Sequence, residues 1–226
     1  MMKNVLYAAA AAAFALAPLA VSAAPLVVRA SGPSASAYPP GRALPDNAAV
    51  TLKPGDVVTV LVSNSSRTLR GPGQFRLAAA PARSTGAFNA RGRFGAMRAG
   101  EIPSSPSLWH VDVSQSGTVC YTGNEVKLWR PEAAEAVTLN VAANGTTKAV
   151  SWASGQDELP WPAALPLAEN QEYTLTWTGN PDPSRLKFAR LASVPEDAAG
   201  LAKAFIDHGC QTQLDLVLEN VPVEGQ

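Results

Sequence analysis

The sequence predicts a mainly β protein, made of antiparallel sandwich- or barrel-like modules with a short C-terminal helical segment. Three observations carry that reading. Short apolar runs alternate with polar residues and recur about every ten positions. Turn formers are abundant, with 19 prolines and 17 glycines in 226 residues, and only 16% of the chain is charged. A three-and-four apolar spacing begins only after Pro195.

The chain opens with Lys3, an apolar run over Val5–Val21 and the small-residue pattern Val21-Ser22-Ala23. This is the layout of a secretory signal peptide, here residues 1–23, with cleavage near Ala23. A periplasmic or extracellular location follows as an expectation. No later apolar run approaches the length that spans a bilayer, so the mature chain is expected to have no transmembrane segment. Residues 24–80 read as a small β domain. Leu26–Val28 is a β-branched run. Val50–Leu52 and Val57–Val62 flank the turn Lys53-Pro54-Gly55-Asp56, where proline presets φ and glycine accepts a positive φ. A hairpin is expected between Val57–Val62 and Arg67–Arg70 through Ser63–Ser66. Gly71-Pro72-Gly73 is expected to break the chain.

Residues 81–107, rich in Arg, Pro and Gly, read as a linker or surface loop. Residues 108–226 read as a β-sandwich domain with C-terminal helices. Strands are expected near 108–114, 118–121, 125–129, 136–142, 147–152, 171–178 and 185–191. Gly123-Asn124, Asn144-Gly145 and Asn180-Pro181 serve as turns. Glu196 and Asp197 suit the first turn of a helix that carries Leu201, Ala204, Phe205 and His208 and stops at Gly209. The stretch after it is either a second helix (Leu214, Leu218, Val221) or, by alternation over Leu214–Leu218, a strand.

The chain has two cysteines, Cys120 and Cys210. In an exported protein they read as one structural disulfide closing about 90 residues. The two histidines lie far apart in sequence, so no metal site and no cofactor are expected. His110, Asp112 and Ser114 share a strand face and read as a solvated polar face, because side-by-side residues on a strand do not form a relay. Glu132 and Glu135 are expected in a helical turn after Pro131, and Asp157-Glu158 in a turn before Pro160. Trp109, Trp152 and Trp177 share faces with apolar residues and read as core. Trp129 and Trp161 read as freer.

Formal charge is zero, and 17 basic against 18 acidic residues remain without Lys3. Nucleic acid is therefore not an expected partner. One stretch departs from this balance. Between Asp56 and Glu101 there is no acid, but seven arginines: Arg67, Arg70, Arg76, Arg83, Arg91, Arg93 and Arg98. Of these, Arg83, Arg91, Arg93 and Arg98 form a candidate anion- or partner-binding set, because the guanidinium fork matches phosphate and carboxylate. An envelope protein or an anionic envelope polymer is the expected partner.

The stretch Ala49-Val50-Thr51-Leu52-Lys53-Pro54-Gly55-Asp56-Val57-Val58-Thr59-Val60-Leu61, followed by Ser66-Arg67-Thr68-Leu69-Arg70-Gly71-Pro72-Gly73, resembles the FecR-like periplasmic β domain. The chain as a whole resembles exported proteobacterial proteins. The resemblance implies a β fold and an envelope location. Ser63-Asn64-Ser65-Ser66 stands where that family has an acidic hairpin. The expected function is thus an exported, non-enzymatic binding or structural protein, with a cell-envelope hydrolase and a FecR-like signalling or sensor module as alternatives.

Overall fold

Val57–Val62 has almost no polar alternation, the mark of a strand buried on both faces. The computed structural model describes residues 24–62, 64–77, 88, 90, 105–123 and 126–224. The signal-peptide reading over 1–23 lies outside these residues, as do Arg83, Arg91, Arg93 and Arg98. Val57–Val62 is β3, the middle strand of an antiparallel sheet between β1 (Leu26–Ser31) and β4 (Ser65–Arg70). Val58, Val60 and Val62 face a core shared with Val27, Leu69 and the ribbon of β2 (Ala49–Leu52) and β5 (Gly73–Arg76). Leu61 joins Leu26 and Val28 in a second core built with the C-terminal helices. One sheet therefore contributes apolar residues to a core on each face.

The Lys53–Asp56 turn forms, with Gly55 at φ +84°. It is a corner between sheets and not a hairpin, because β2 pairs with β5 while β3 pairs with β1 and β4. Gly71 permits that corner, since a Cβ there would lie 2.0 Å from the Lys53 carbonyl oxygen. The expected break at Gly71–Gly73 is only a bend, and Gly73 opens β5. The β3–β4 hairpin is tighter than its serines imply, with Val62 already opposite Ser65.

Asp56 holds this corner from inside. Its buried carboxylate accepts hydrogen bonds from Ser34 N at 2.8 Å and Lys53 N at 2.6 Å. Burial alone raises the acid's pKa. The hydrogen bonds from Ser34 and Lys53, with the Lys53 charge, outweigh it and leave the carboxyl below its ordinary value.

The remaining strands form two facing layers. A five-stranded sheet runs in the order β10 (Thr146–Trp152), β9 (Val137–Ala143), β12 (Glu172–Trp177), β13 (Asn180–Arg190), β7 (Gly117–Tyr121). Opposite it lie β11 (Glu158–Pro160), β8 (Lys127–Trp129) and β6 (His110–Asp112). Val111, Leu128, Leu139, Val141, Tyr173 and Phe188 meet between the layers. Asn144-Gly145 makes the β9–β10 hairpin, both residues at positive φ as a type I′ turn demands. Two pairings depart from the antiparallel expectation: β13 with β7 and β6 with β8 are parallel. The turn after β12 is Thr178-Gly179, and Asn180-Pro181 begins β13. Trp129 is buried, and Trp161 packs edge-on against Tyr173 and Phe188, so neither is a free aromatic.

Asp197 is the N-cap of α1 (Ala198–His208), accepting from Gly200 N at 2.8 Å, and is not part of its first turn. Gly209 ends α1 at φ +73°. Gly209 N donates to Ile206 O and Cys210 N to Phe205 O, the double bond of a Schellman cap. The cap places Cys210 at the start of α2 (Gln211–Asn220), so the helical alternative holds. Leu214 and Val217 turn into the core, whereas a strand would have exposed half of that run. Cys210 bonds Cys120 of β7 across a Cα–Cα distance of 5.7 Å. Beside the bridge, the buried Gln213 side chain accepts from Cys120 N at 2.6 Å and donates to the Cys120 and Leu108 carbonyls at 2.8 and 2.7 Å. One amide thus serves the edge of β7 as a neighbouring strand would. Among the described residues no helix is long and apolar enough to cross a membrane.

Two predictions follow from these devices. Replacing both Cys120 and Cys210 by alanine lowers stability by about 4–5 kcal/mol, the loop-closure value for a ring of this length, read from urea midpoints without reductant. Asp56→Asn lowers stability at neutral pH, because an amide N–H then faces a backbone donor. Asp56 has a depressed folded pKa, so its contribution is present above about pH 4 and lost as pH falls through the folded value. The gap between wild type and Asp56→Asn therefore closes on acidification, in melting curves taken from pH 7 to pH 3.

Candidate functional site

Three places gather polar chemistry. The first is at β6. Ser107 Oγ lies 2.7 Å from His110 Nδ1, and His110 Nε2 lies 3.3 Å from Glu158 Oε1. The Ser107 hydroxyl and His110 Nδ1 are hydrogen-bonded, and Glu158 Oε1 stands within ion-pair distance of Nε2. The alignment comes from a local turn, Ser107 to His110, and from β11 lying beside β8. Glu158 is therefore in a strand and not in the expected turn. His110 is not on a solvated face either, as its side chain is only 8% exposed. Ser107 is buried, and its hydroxyl also accepts from Trp109 N at 3.2 Å. A cavity of about 280 Å³ opens between β7 and α2, lined by His110, Asp112 and Gln213; Ser107 does not reach its wall. Asp112 is occupied locally. Its Oδ1 accepts from Ser114 N at 2.9 Å and Ser114 Oγ at 2.6 Å. Burial raises its pKa, and the Ser114 hydrogen bonds partly offset this. His110, Asp112 and Ser114, adjacent in sequence, thus divide between two separate networks.

The second place is the outer edge of β4. Ser66 N donates to Pro222 O and Glu224 N donates to Ser66 O, both at 2.8 Å, so the tail after α2 adds one rung to the edge as a parallel strand. Ser65 Oγ donates to Glu224 Oε1 at 2.8 Å. Outward backbone groups recur with period two, which puts those of Thr68 and Arg70 on the same edge beyond the tail. Arg67, Arg70 and Arg76 lie along this edge and the adjoining β5. Arg67 Nη1 donates to Arg76 O at 3.2 Å, and none of the three forms an ion pair among the described residues. The described members of the basic stretch therefore stand on strands. Of residues 81–107, Phe88 and Ala90 pack against the helical core, and Trp109 Nε1 donates to Ala90 O at 2.7 Å.

The third place centres on Arg130. Its buried guanidinium donates to Gln156 O, Glu135 O, Ala133 O and Ala153 O at 2.9, 2.7, 3.2 and 3.0 Å. It also stands over the Trp152 ring at 5.4 Å. The loop after Pro131 is organised by these bonds, and the expected helical turn at Glu132 and Glu135 does not form. Sequence reasoning missed Arg130, because nothing local distinguishes it from a surface arginine. Gln213 carried a faint signal as a polar residue on the face of α2 that includes Leu214 and Val217.

Among the described residues, no group of three His, Cys, Asp or Glu side chains is placed to hold a metal ion. Fold and sites together define a disulfide-locked, mainly β protein whose buried polar groups are largely engaged by its own backbone. No protein-family model, curated protein or solved structure matches the chain.

Proposed function

We propose that the chain is an exported, non-enzymatic binding protein of the periplasm or cell exterior. Its partner is an envelope protein that presents an acidic extended segment to the β4 edge. The observation that carries this reading is the tail strand on Ser66: the edge already accepts an added strand, in cis, beside Arg67, Arg70 and Arg76. Strand addition gives affinity through main-chain hydrogen bonds and selects its partner through flanking side chains. The disulfide supports an oxidising compartment. The FecR-like resemblance of residues 49–73 spans these strands and supports an interaction role.

The test uses two synthetic peptides titrated into the full chain, one alternating Val and Glu, the other Val and Lys. The acidic peptide binds, and its affinity falls with salt. Thr68→Pro removes one outward N–H while leaving the β3–β4 ladder intact, and it abolishes binding, as does Arg67→Glu with Arg70→Glu. Equal binding of both peptides, or binding unchanged in Thr68→Pro, defeats the reading.

A second reading, a cell-envelope hydrolase, draws on the Ser107–His110–Glu158 alignment. Against it, Ser107 is buried and outside the neighbouring cavity. A fluorophosphonate probe separates the two. The binding reading predicts no labelling at Ser107, and the hydrolase reading predicts labelling that His110→Ala removes.

A further inference from the structure

A cleft of about 450 Å³ lies at the end of the sandwich where the β12–β13 turn, the loop after β8 and the end of β10 meet. It is far in sequence from the β4 edge, within the size range of small-ligand sites, and no described strand or helix fills it. We propose that this cleft binds a neutral sugar ring.

The walls set the chemistry. Trp152 and Trp177 both line the cleft, Trp152 buried and Trp177 half-buried. Arg130 lines it as well, held rigid by its four carbonyl bonds and by the Trp152 ring. Trp152 Nε1 is a buried donor without a hydrogen-bond partner among the described residues. At the rim, Glu132 and Glu135 are exposed, and their carboxylates make no ion pair with any described residue. Asn180 adds a side-chain amide to the lining.

Charge then selects the ligand. An anion entering the cleft meets two carboxylates. A cation meets the Arg130 guanidinium, which forms no ion pair among the described residues. A neutral polyol avoids both conflicts: its hydroxyls donate to Glu132 and Glu135 and accept from the Asn180 amide, while an apolar C–H face lies on an indole. Aromatic side chains suit that task because they offer a large rigid surface at low entropic cost.

The experiment is calorimetric titration of the full chain, with tryptophan emission followed in parallel. The probes are soluble oligomers of glucose and of N-acetylglucosamine, with choline and an oligomer of glucuronic acid as charged comparisons. At least one neutral oligomer binds saturably and shifts the emission. Trp177→Ala weakens it about tenfold or more, the usual scale for loss of an aromatic anchor. Because Trp177 also touches the sandwich core, the exposed pair Glu132→Lys with Glu135→Lys provides a second test. It weakens sugar binding with an unchanged melting midpoint. Binding of only the charged probes, of none of the neutral oligomers, or with equal affinity in the Glu132→Lys, Glu135→Lys protein overturns the proposal. Neither result depends on the β4 edge, since Thr68→Pro leaves the cleft intact.

Discussion

The Cys120–Cys210 bond is the constraint on which the other contacts lean. It holds the start of α2 against β7. From there Gln213 reaches the β7 backbone, and the apolar face of the helical pair meets β1 and β3. Breaking the bond does more than free one loop. It loosens the helical layer on the outer face of the β1–β3–β4 sheet, a layer of small and branched residues such as Ala199, Ala202 and Val217. The helices therefore cement two β modules that each have a separate core of their own.

The strands were legible wherever local pattern decided them. Asn144-Gly145 specified its hairpin, and Gly209 specified the end of α1, because each position needs a positive φ that few residues accept. Pairing partners were not legible. Nothing in Val50–Leu52 says that it pairs with Gly73–Arg76 rather than with the adjacent Val57–Val62. That choice is made by the close approach at Gly71 and the buried Asp56. The parallel pairs β13–β7 and β6–β8 depend on long-range packing and leave no mark in local alternation.

The candidate sites divide along the same line. Composition flagged the arginine stretch, and of its described members Arg67 and Arg70 stand on β4 and Arg76 on β5. Arg130 lies outside that stretch, yet among the described arginines it makes the most hydrogen bonds. His110 was legible as an unusual residue but not as a neighbour of Ser107 and Glu158, because Glu158 arrives through β11, a strand too short to show by pattern. Buried polar side chains here recur with one role: Asp56, Arg130 and Gln213 each serve several backbone groups at once. Low charge content and a folded polar interior are thus compatible where one side chain, such as Asp56, Arg130 or Gln213, serves more than one backbone partner.

The two-faced β1–β3 sheet has a consequence for how the chain is made. Its strands come early in the sequence, but the layer that closes their second face comes from residues 198–221, and the rung on Ser66 from residues beyond 221. A chain that emerges N-terminus first holds Leu26, Val28 and Leu61 open to water until the helical residues 198–221 appear. Contacts of such long sequence separation form slowly and expose apolar surface meanwhile. Removing residues 198–224 therefore damages strands made long before them, so the helices and the rung after them act as the closing step of the β1–β3–β4 sheet.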